Sequence, residues 1–212
     1  MQSLKVNNLT LQLPDGTLLC EALSFEIAPG SVLALMGPSG SGKSSILSWI
    51  TGTLDSRIRA EGEVWLGDLN VGVLPVERRC LGLMLQQDYL FPHMSVEQNL
   101  KFGLRGGNRR SRQDAIIESL NSAGLSGMEK RHPATLSGGQ RARVSLLRTL
   151  LSNPHALLLD EPFSRLDVEL RSTIREFTWT AANQLPTLLV THDIDDVPPH
   201  AQILNLSSSH YA

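Results

Sequence analysis

Ser31 to Ser45 read SVLALMGPSGSGKSS, and no other stretch limits the fold of this chain as much. An unbroken apolar run ahead of a glycine-rich loop is how a strand buried on both faces reads. Such strands belong to parallel sheets covered by helices. The segment after the loop, SSILSWITGTL, reads as a helix. Gly37 to Ser44 match G-x-x-x-x-G-K-[ST] in full, in the strand–loop–helix context that the motif requires. Glycines there let backbone N–H groups form a nest around the β- and γ-phosphates of a nucleotide. The expected nucleotide-binding residues are therefore Gly37, Pro38, Ser39, Gly40, Ser41, Gly42, Lys43, Ser44 and Ser45. Lys43 adds a point charge on the phosphates, and the Ser44 hydroxyl is placed to ligate Mg²⁺. A glycine-rich turn with no ligand is the competing explanation, and the complete motif in context weighs against it.

A phosphate seat of this kind needs an acid on a neighbouring strand to hold the metal's water shell. ALLLDE, Ala156 to Glu161, supplies one. Asp160 closes an apolar run at the C-terminal strand edge, where open α/β sheets bind ligands. Glu161 follows, points differently, and is the candidate general base. Alone, such a strand end would read as two solvated acids; paired with the P-loop it reads as a site.

The rest of the chain fits the same architecture. Its 212 residues suffice for one sizeable domain. LKVNNLTLQL, CEALSFEI and GEVWLG read as strands, separated by turn signals at Pro14–Gly16, Pro29–Gly30 and Gly67–Asp68. Residues 88 to about 150 read as helical. Ser95 with Gln98, and Ser111 with Asp114, have capping-box spacing. RGGNRR between these helices reads as a solvated basic loop. After Pro154 come the strands HALLLDE, PTLLVTHD and AQILNL, with the helix-like DVELRSTIREFTWTAANQ between the first two. That alternation indicates a parallel α/β sheet with a helical block inserted midway.

Bulk properties exclude other classes. A net charge of −2 gives no electrostatic reason to expect nucleic acid as the partner. Cys20 and Cys80 are isolated, which disfavours a disulfide framework or a zinc site. The N-terminus has no long apolar run of a secretory signal, and no apolar run approaches a membrane span. Any link to a membrane is expected to go through another protein.

LSGGQ, Leu136 to Gln140, poses a question. Adjacent glycines ahead of the helix RARVSLLRTLL make a second anion seat, at the positive end of a helix. GPSGSGKSS, LSGGQ, LLLDEP, SRLD at Ser164 to Asp167 and Thr191–His192 stand in the order found in ATP-binding subunits of ABC transporters. The chain resembles that family over nearly its whole length, including LGLMLQQDYLFPHMSVEQNL, with Gln86 at the family's Q-loop glutamine. The resemblance implies a P-loop NTPase ABC ATPase domain: a central, mostly parallel sheet, an antiparallel β subdomain and an inserted helical subdomain. One such domain spans residues 1–212, with its ATP-binding core at 1–87 and 153–206 and the helical subdomain at about 88–152.

The resemblance also answers the question. Two copies pack head to tail, and two ATPs are sandwiched between the P-loop of one and the signature motif of the other. Leu136, Ser137, Gly138, Gly139 and Gln140 then act across the dimer. By the same resemblance Gln86 contacts Mg²⁺ or the attacking water and senses a membrane partner. Asp167 is the D-loop acid at the dimer interface, and His192 steadies the transition state with Glu161. The implied catalytic set is Glu161, His192, Lys43 and Gln86, and the metal set Ser44, Gln86 and Asp160. ATP and Mg²⁺ are the implied cofactors.

FPHMSVEQNL and LPVERRCLGLMLQ resemble the binding-protein-dependent importer branch, and LSGGQRARVSLLRTLL with ALLLDEPFSRLDVELR is similar to the YnjD-like subunits. This implies a homodimeric motor docked on membrane permease subunits, served indirectly by a periplasmic or extracellular substrate-binding protein. It would sit peripherally on the cytoplasmic face of the inner membrane, with no nucleic-acid partner. The chain departs from the branch in three ways. Where the family carries an adenine-stacking aromatic, about two dozen residues before the P-loop, this chain has Leu13 and Pro14, and its upstream Phe25 reads as a core strand residue, so discrimination between ATP and GTP is expected to be reduced. Pro198–Pro199 follow the switch histidine, which predicts a shorter, stiffer switch segment. No C-terminal regulatory domain is expected beyond Ala212. A soluble ABC ATPase, for example of the iron–sulfur assembly type, and a non-catalytic nucleotide-binding regulator remain as alternatives.

Overall fold

The computed structural model describes residues 2–164, 166 and 168–206, and its chain divides into two compact units. The first comprises the chain up to Leu83, His155–Glu161 and the chain from Ala182 onward. It holds two sheets. The antiparallel one has β1 (Leu4–Gln12) between β2 (Leu18–Ile27) and β4 (Arg59–Leu66), with β5 (Leu69–Asn70) beyond β4. In β1 the buried set runs Leu4, Val6 and then Leu9, Leu11. The change of phase coincides with a register shift between Val6 and Leu9, where Asn8 adopts φ +49. A bulge there keeps both halves of the strand facing the core.

The second sheet has the order β6 (Leu81–Met84), β7 (Ala156–Asp160), β8 (Thr187–Val190), β3 (Val32–Met36), β9 (Gln202–Asn205). β3 pairs in parallel with both β8 and β9, and β7 in parallel with β8. Burial on both faces explains the continuous apolar runs of β3 and β7. Helix α1 (Lys43–Thr51) buries Ile46, Leu47 and Ile50 in the same core. It ends at Gly52, φ +82, in the left-handed cap that glycine adopts freely. Arg79, only 9% exposed, lies against that cap. Its guanidinium donates to the carbonyls of Trp49 at 3.1 Å, Ile50 at 2.7 Å and Gly72 at 2.9 Å, and its Nε to that of Leu74 at 3.0 Å.

The second unit comprises Met84–Pro154 and Pro162–Ala181. Helices α2 (Val96–Gly103), α3 (Arg109–Ser122), α4 (Gly138–Leu150) and α5 (Val168–Ala181) belong to it. Val96, Leu100, Ile116, Leu120, Leu136, Val144 and Leu147 form its core, with Phe177 of α5 packed against them. So α5 packs with the helical block, although in sequence it lies between two strands of the parallel sheet.

The Ser95–Gln98 capping box opens α2 in both directions, as its spacing predicts. The Ser111–Asp114 expectation is corrected. Asn108 is the cap of α3 and accepts from the Ser111 N–H at 2.9 Å, so the helix begins earlier. Asparagine is among the strongest N-caps and stands directly ahead of helix-compatible arginines.

Candidate nucleotide site

The first unit assembles the P-loop, both acids and the histidine. Gly40 and Gly42 take φ +82 and +87, a backbone that other residues adopt only with strain. A Cβ on Gly42 would also stand 2.9 Å from that of Leu19 on β2. Lys43 is 7% exposed. Its Nζ donates to the carbonyls of Gly37 and Pro38, both at 2.8 Å, so the ammonium sits inside the loop it closes.

Ser44 Oγ donates to Asp160 Oδ1 at 3.3 Å. Burial pushes the Asp160 carboxyl above its ordinary pKa; the Ser44 bond and Lys43 oppose that shift, and the neighbouring Glu161 charge adds to it. A hydroxyl and one carboxylate are hard oxygen donors, and they suit a cation that keeps most of its own water, as Mg²⁺ does. Among the described residues no group of three or more His, Cys, Asp or Glu could hold a metal, which disfavours a zinc-like cage. The donor set present fits Mg²⁺.

Glu161 has φ +47, and its N–H donates to the Val190 carbonyl at 2.9 Å. A non-glycine residue in left-handed backbone ends the strand abruptly, and such strain recurs at functional sites. His192 Nδ1 lies 3.1 Å from Glu161 Oε1. The histidine side chain is 61% exposed against 24% for the glutamate. Sequence reasoning missed what supports the histidine. Thr191 and Asp196, each 1% exposed, bond at 3.0 Å, and the Asp193 N–H returns to Thr191 Oγ1 at 3.1 Å. The acidic run DIDD, Asp193 to Asp196, directly after His192, was the available signal. A single 3-10 turn, Ile194–Asp196, occupies this segment ahead of Pro198.

The signature motif and Gln86 belong to the second unit. Leu136 is buried in that unit's core. Ser137 caps α4 and forms a reciprocal capping box with Gln140, a spacing visible in the sequence but not used there. A Cβ on Gly139 would stand 2.2 Å from Leu170 Cδ2. Among the described residues, a Cβ on Gly138 would meet nothing nearer than Arg141 Nη2, at 4.0 Å. Gln86 Nε2 donates to Ser164 Oγ at 3.2 Å. Asp167 lies outside the described residues.

Comparison with known proteins identifies the family. The ABC transporter family model matches residues 20–164. The chain therefore belongs to the ABC transporter family, as an ATP-binding ATPase subunit with an α/β P-loop NTPase fold. It is 44% identical over 207 residues to the uncharacterized ABC transporter ATP-binding protein YnjD of Escherichia coli (strain K12), covering 95% of this chain and 94% of that protein. Over 183 residues it is 39% identical to the putative 2-aminoethylphosphonate import ATP-binding protein PhnT of Salmonella typhimurium, covering 84% of this chain and 49% of that one. Over 182 residues it is 41% identical to the sulfate/thiosulfate import ATP-binding protein CysA of Brucella melitensis, covering 82% and 50%. The chain spans about half the length of these last two relatives. Among the described residues no helix is long and apolar enough to cross a membrane.

Proposed function

We propose that this chain is the ATP-hydrolysing motor of an importer, working as a head-to-tail homodimer on membrane permease subunits. The Glu161–His192 contact carries the catalytic part of this reading, because it stands one residue from the Ser44–Asp160 pair. Gly37 to Ser45 cradle the phosphates, and the Lys43 ammonium exchanges its carbonyl partners for phosphate oxygens. Ser44 and Asp160 would hold Mg²⁺, which would supply positive charge against the developing phosphate charge. Glu161 takes the proton of the attacking water, while His192 orients the Glu161 carboxylate through Nδ1 and its imidazole stabilises charge at the γ-phosphate.

Ser137, Gly138 and Gly139 of the other copy contact the γ-phosphate at the positive end of α4. ATP therefore favours the closed dimer over the open one, while ADP lacks the group that bridges them. Gln86 and Asp167 relay closure, which moves the permease helices. The chain acts on the cytoplasmic face of the membrane, and a periplasmic or extracellular binding protein selects the cargo. The import functions in the names of PhnT and CysA support the importer branch.

Glu161→Gln is expected to keep ATP binding and lose hydrolysis by about a hundredfold or more. Steady-state turnover at the parent rate sinks the base assignment. Gentle solubilisation and affinity capture of the tagged chain should bring down a polytopic permease. Soluble partners alone would favour the soluble ABC ATPase alternative.

A further inference from the structure

The signature helix is tied to the segment after Gln86 by contacts that ATP chemistry does not use. Arg141, Ser145 and Arg148 occupy one stripe of α4. All three grip Asp88 or its neighbour. Arg141 Nε donates to Asp88 Oδ2 at 3.0 Å. Ser145 Oγ donates to the Asp88 carbonyl at 3.1 Å, and Arg148 Nη2 to the same carbonyl at 3.0 Å. Arg148 Nη1 reaches the carbonyl of Tyr89 at 2.8 Å. Tyr89 itself has φ +42, a conformation that persists where surroundings hold it. Arg141 faces two ways, since its Nη1 also donates to the Leu136 carbonyl at 2.9 Å, one residue before the signature serine. Gln86, Asp88, Gly138 and Arg141 line one cavity of about 90 Å³.

The first turn of α4 carries two glycines, and glycine leaves a helix end prone to fray. The Ser137–Gln140 capping box closes that turn within its own helix, whereas the Arg141–Asp88 bond ties it to a separate segment. Side-chain exposures of 38% and 33% make this pair a poor source of global stability.

We propose that Asp88 and Arg141 form a positioning pair. Their ion pair aims the first turn of α4, and so sets how Ser137 and Gly138 meet a γ-phosphate, while neither residue touches nucleotide. This rests on Leu136–Gln140 being the second phosphate seat.

The test compares the parent with Asp88→Asn, Arg141→Gln, the double variant and Ser137→Ala. Specific ATPase activity is measured against chain concentration, alongside Tm and the ATP affinity of the single chain. Each single variant should raise the chain concentration for half-maximal activity about tenfold. The double variant should go no further than either single, with Tm and single-chain affinity at parent values. Arg141→Lys keeps the charge but not the two-way fork, and should recover only part of the activity. If Ser137→Ala shifts the curve and the pair variants do not, the positioning role is wrong. Additive effects in the double variant, or losses that follow Tm, also overturn it. If Ser137→Ala has no effect either, the second-seat reading fails and the pair falls with it.

Discussion

The P-loop and the signature motif both put glycines ahead of a helix, but for different physical reasons. In the P-loop, Gly40 and Gly42 have left-handed backbone, so the fold itself demands them. In the signature motif neither glycine is left-handed. Gly139 is required by packing, because a side chain would collide with Leu170. Among the described residues, Gly138 is required by neither backbone nor packing. A bare residue in a helix's first turn costs stability relative to alanine, and no contact among the described residues offsets it. The P-loop glycines are thus accounted for by their own chain's backbone, whereas Gly138 is the glycine that the proposed approach of a second copy would explain.

That contrast can be broken experimentally. The largest effect is expected at the self-contained seat. Lys43→Ala should weaken single-chain ATP affinity about tenfold to a hundredfold, the range for a charge-assisted bond, while Ser137→Ala leaves it alone. Equal losses in equilibrium titration would erase the distinction. Next come the two signature glycines. Gly139→Ala should destabilise by about 1–3 kcal/mol through overpacking. Gly138→Ala should be neutral, or stabilising by up to about 1 kcal/mol, yet lower ATP turnover. Thermal unfolding beside activity checks both, and matching Tm losses would show that Gly138 is structural too.

The smallest effect concerns Asp160. Its folded pKa is raised, chiefly by burial. Its contribution to stability is therefore complete below the ordinary value of 3.8 and is lost as pH rises through the raised value. At neutral pH the ionised carboxylate costs stability, so Asp160→Asn should raise Tm slightly without nucleotide while lowering hydrolysis. The Tm gain should vanish in acid. A gain that persists there would contradict the burial argument.

Much of this was legible in the sequence because local chemistry dictated it. A continuous apolar run can be a parallel central strand, and β3 is one, with parallel neighbours on both sides. A complete P-loop motif fixes its own backbone. The cap of α3 was misplaced by three residues, because serine and asparagine compete for the same role and only geometry decides between them. The short strand Leu81–Met84 went unread, since four residues ahead of a glutamine loop carry little periodicity. The packing of α5 with the helical block could not be read at all. It depends on contacts such as Phe177 with the second core, which leave no local pattern. The buried Thr191–Asp196 bond behind His192 was missed for the same reason.

Arg79 has a mechanical consequence for the first seat. If Gly37 to Ser45 seat the phosphates as proposed, that loop would receive and release several negative charges in every cycle. α1 is bolted at its far end, where one guanidinium holds two of its last carbonyls and two more from the 72–74 segment. The cation there also faces the negative pole of the helix dipole. With that end fixed, any adjustment to phosphate is expected in residues 37–42, with the helix serving as an anvil beneath the loop.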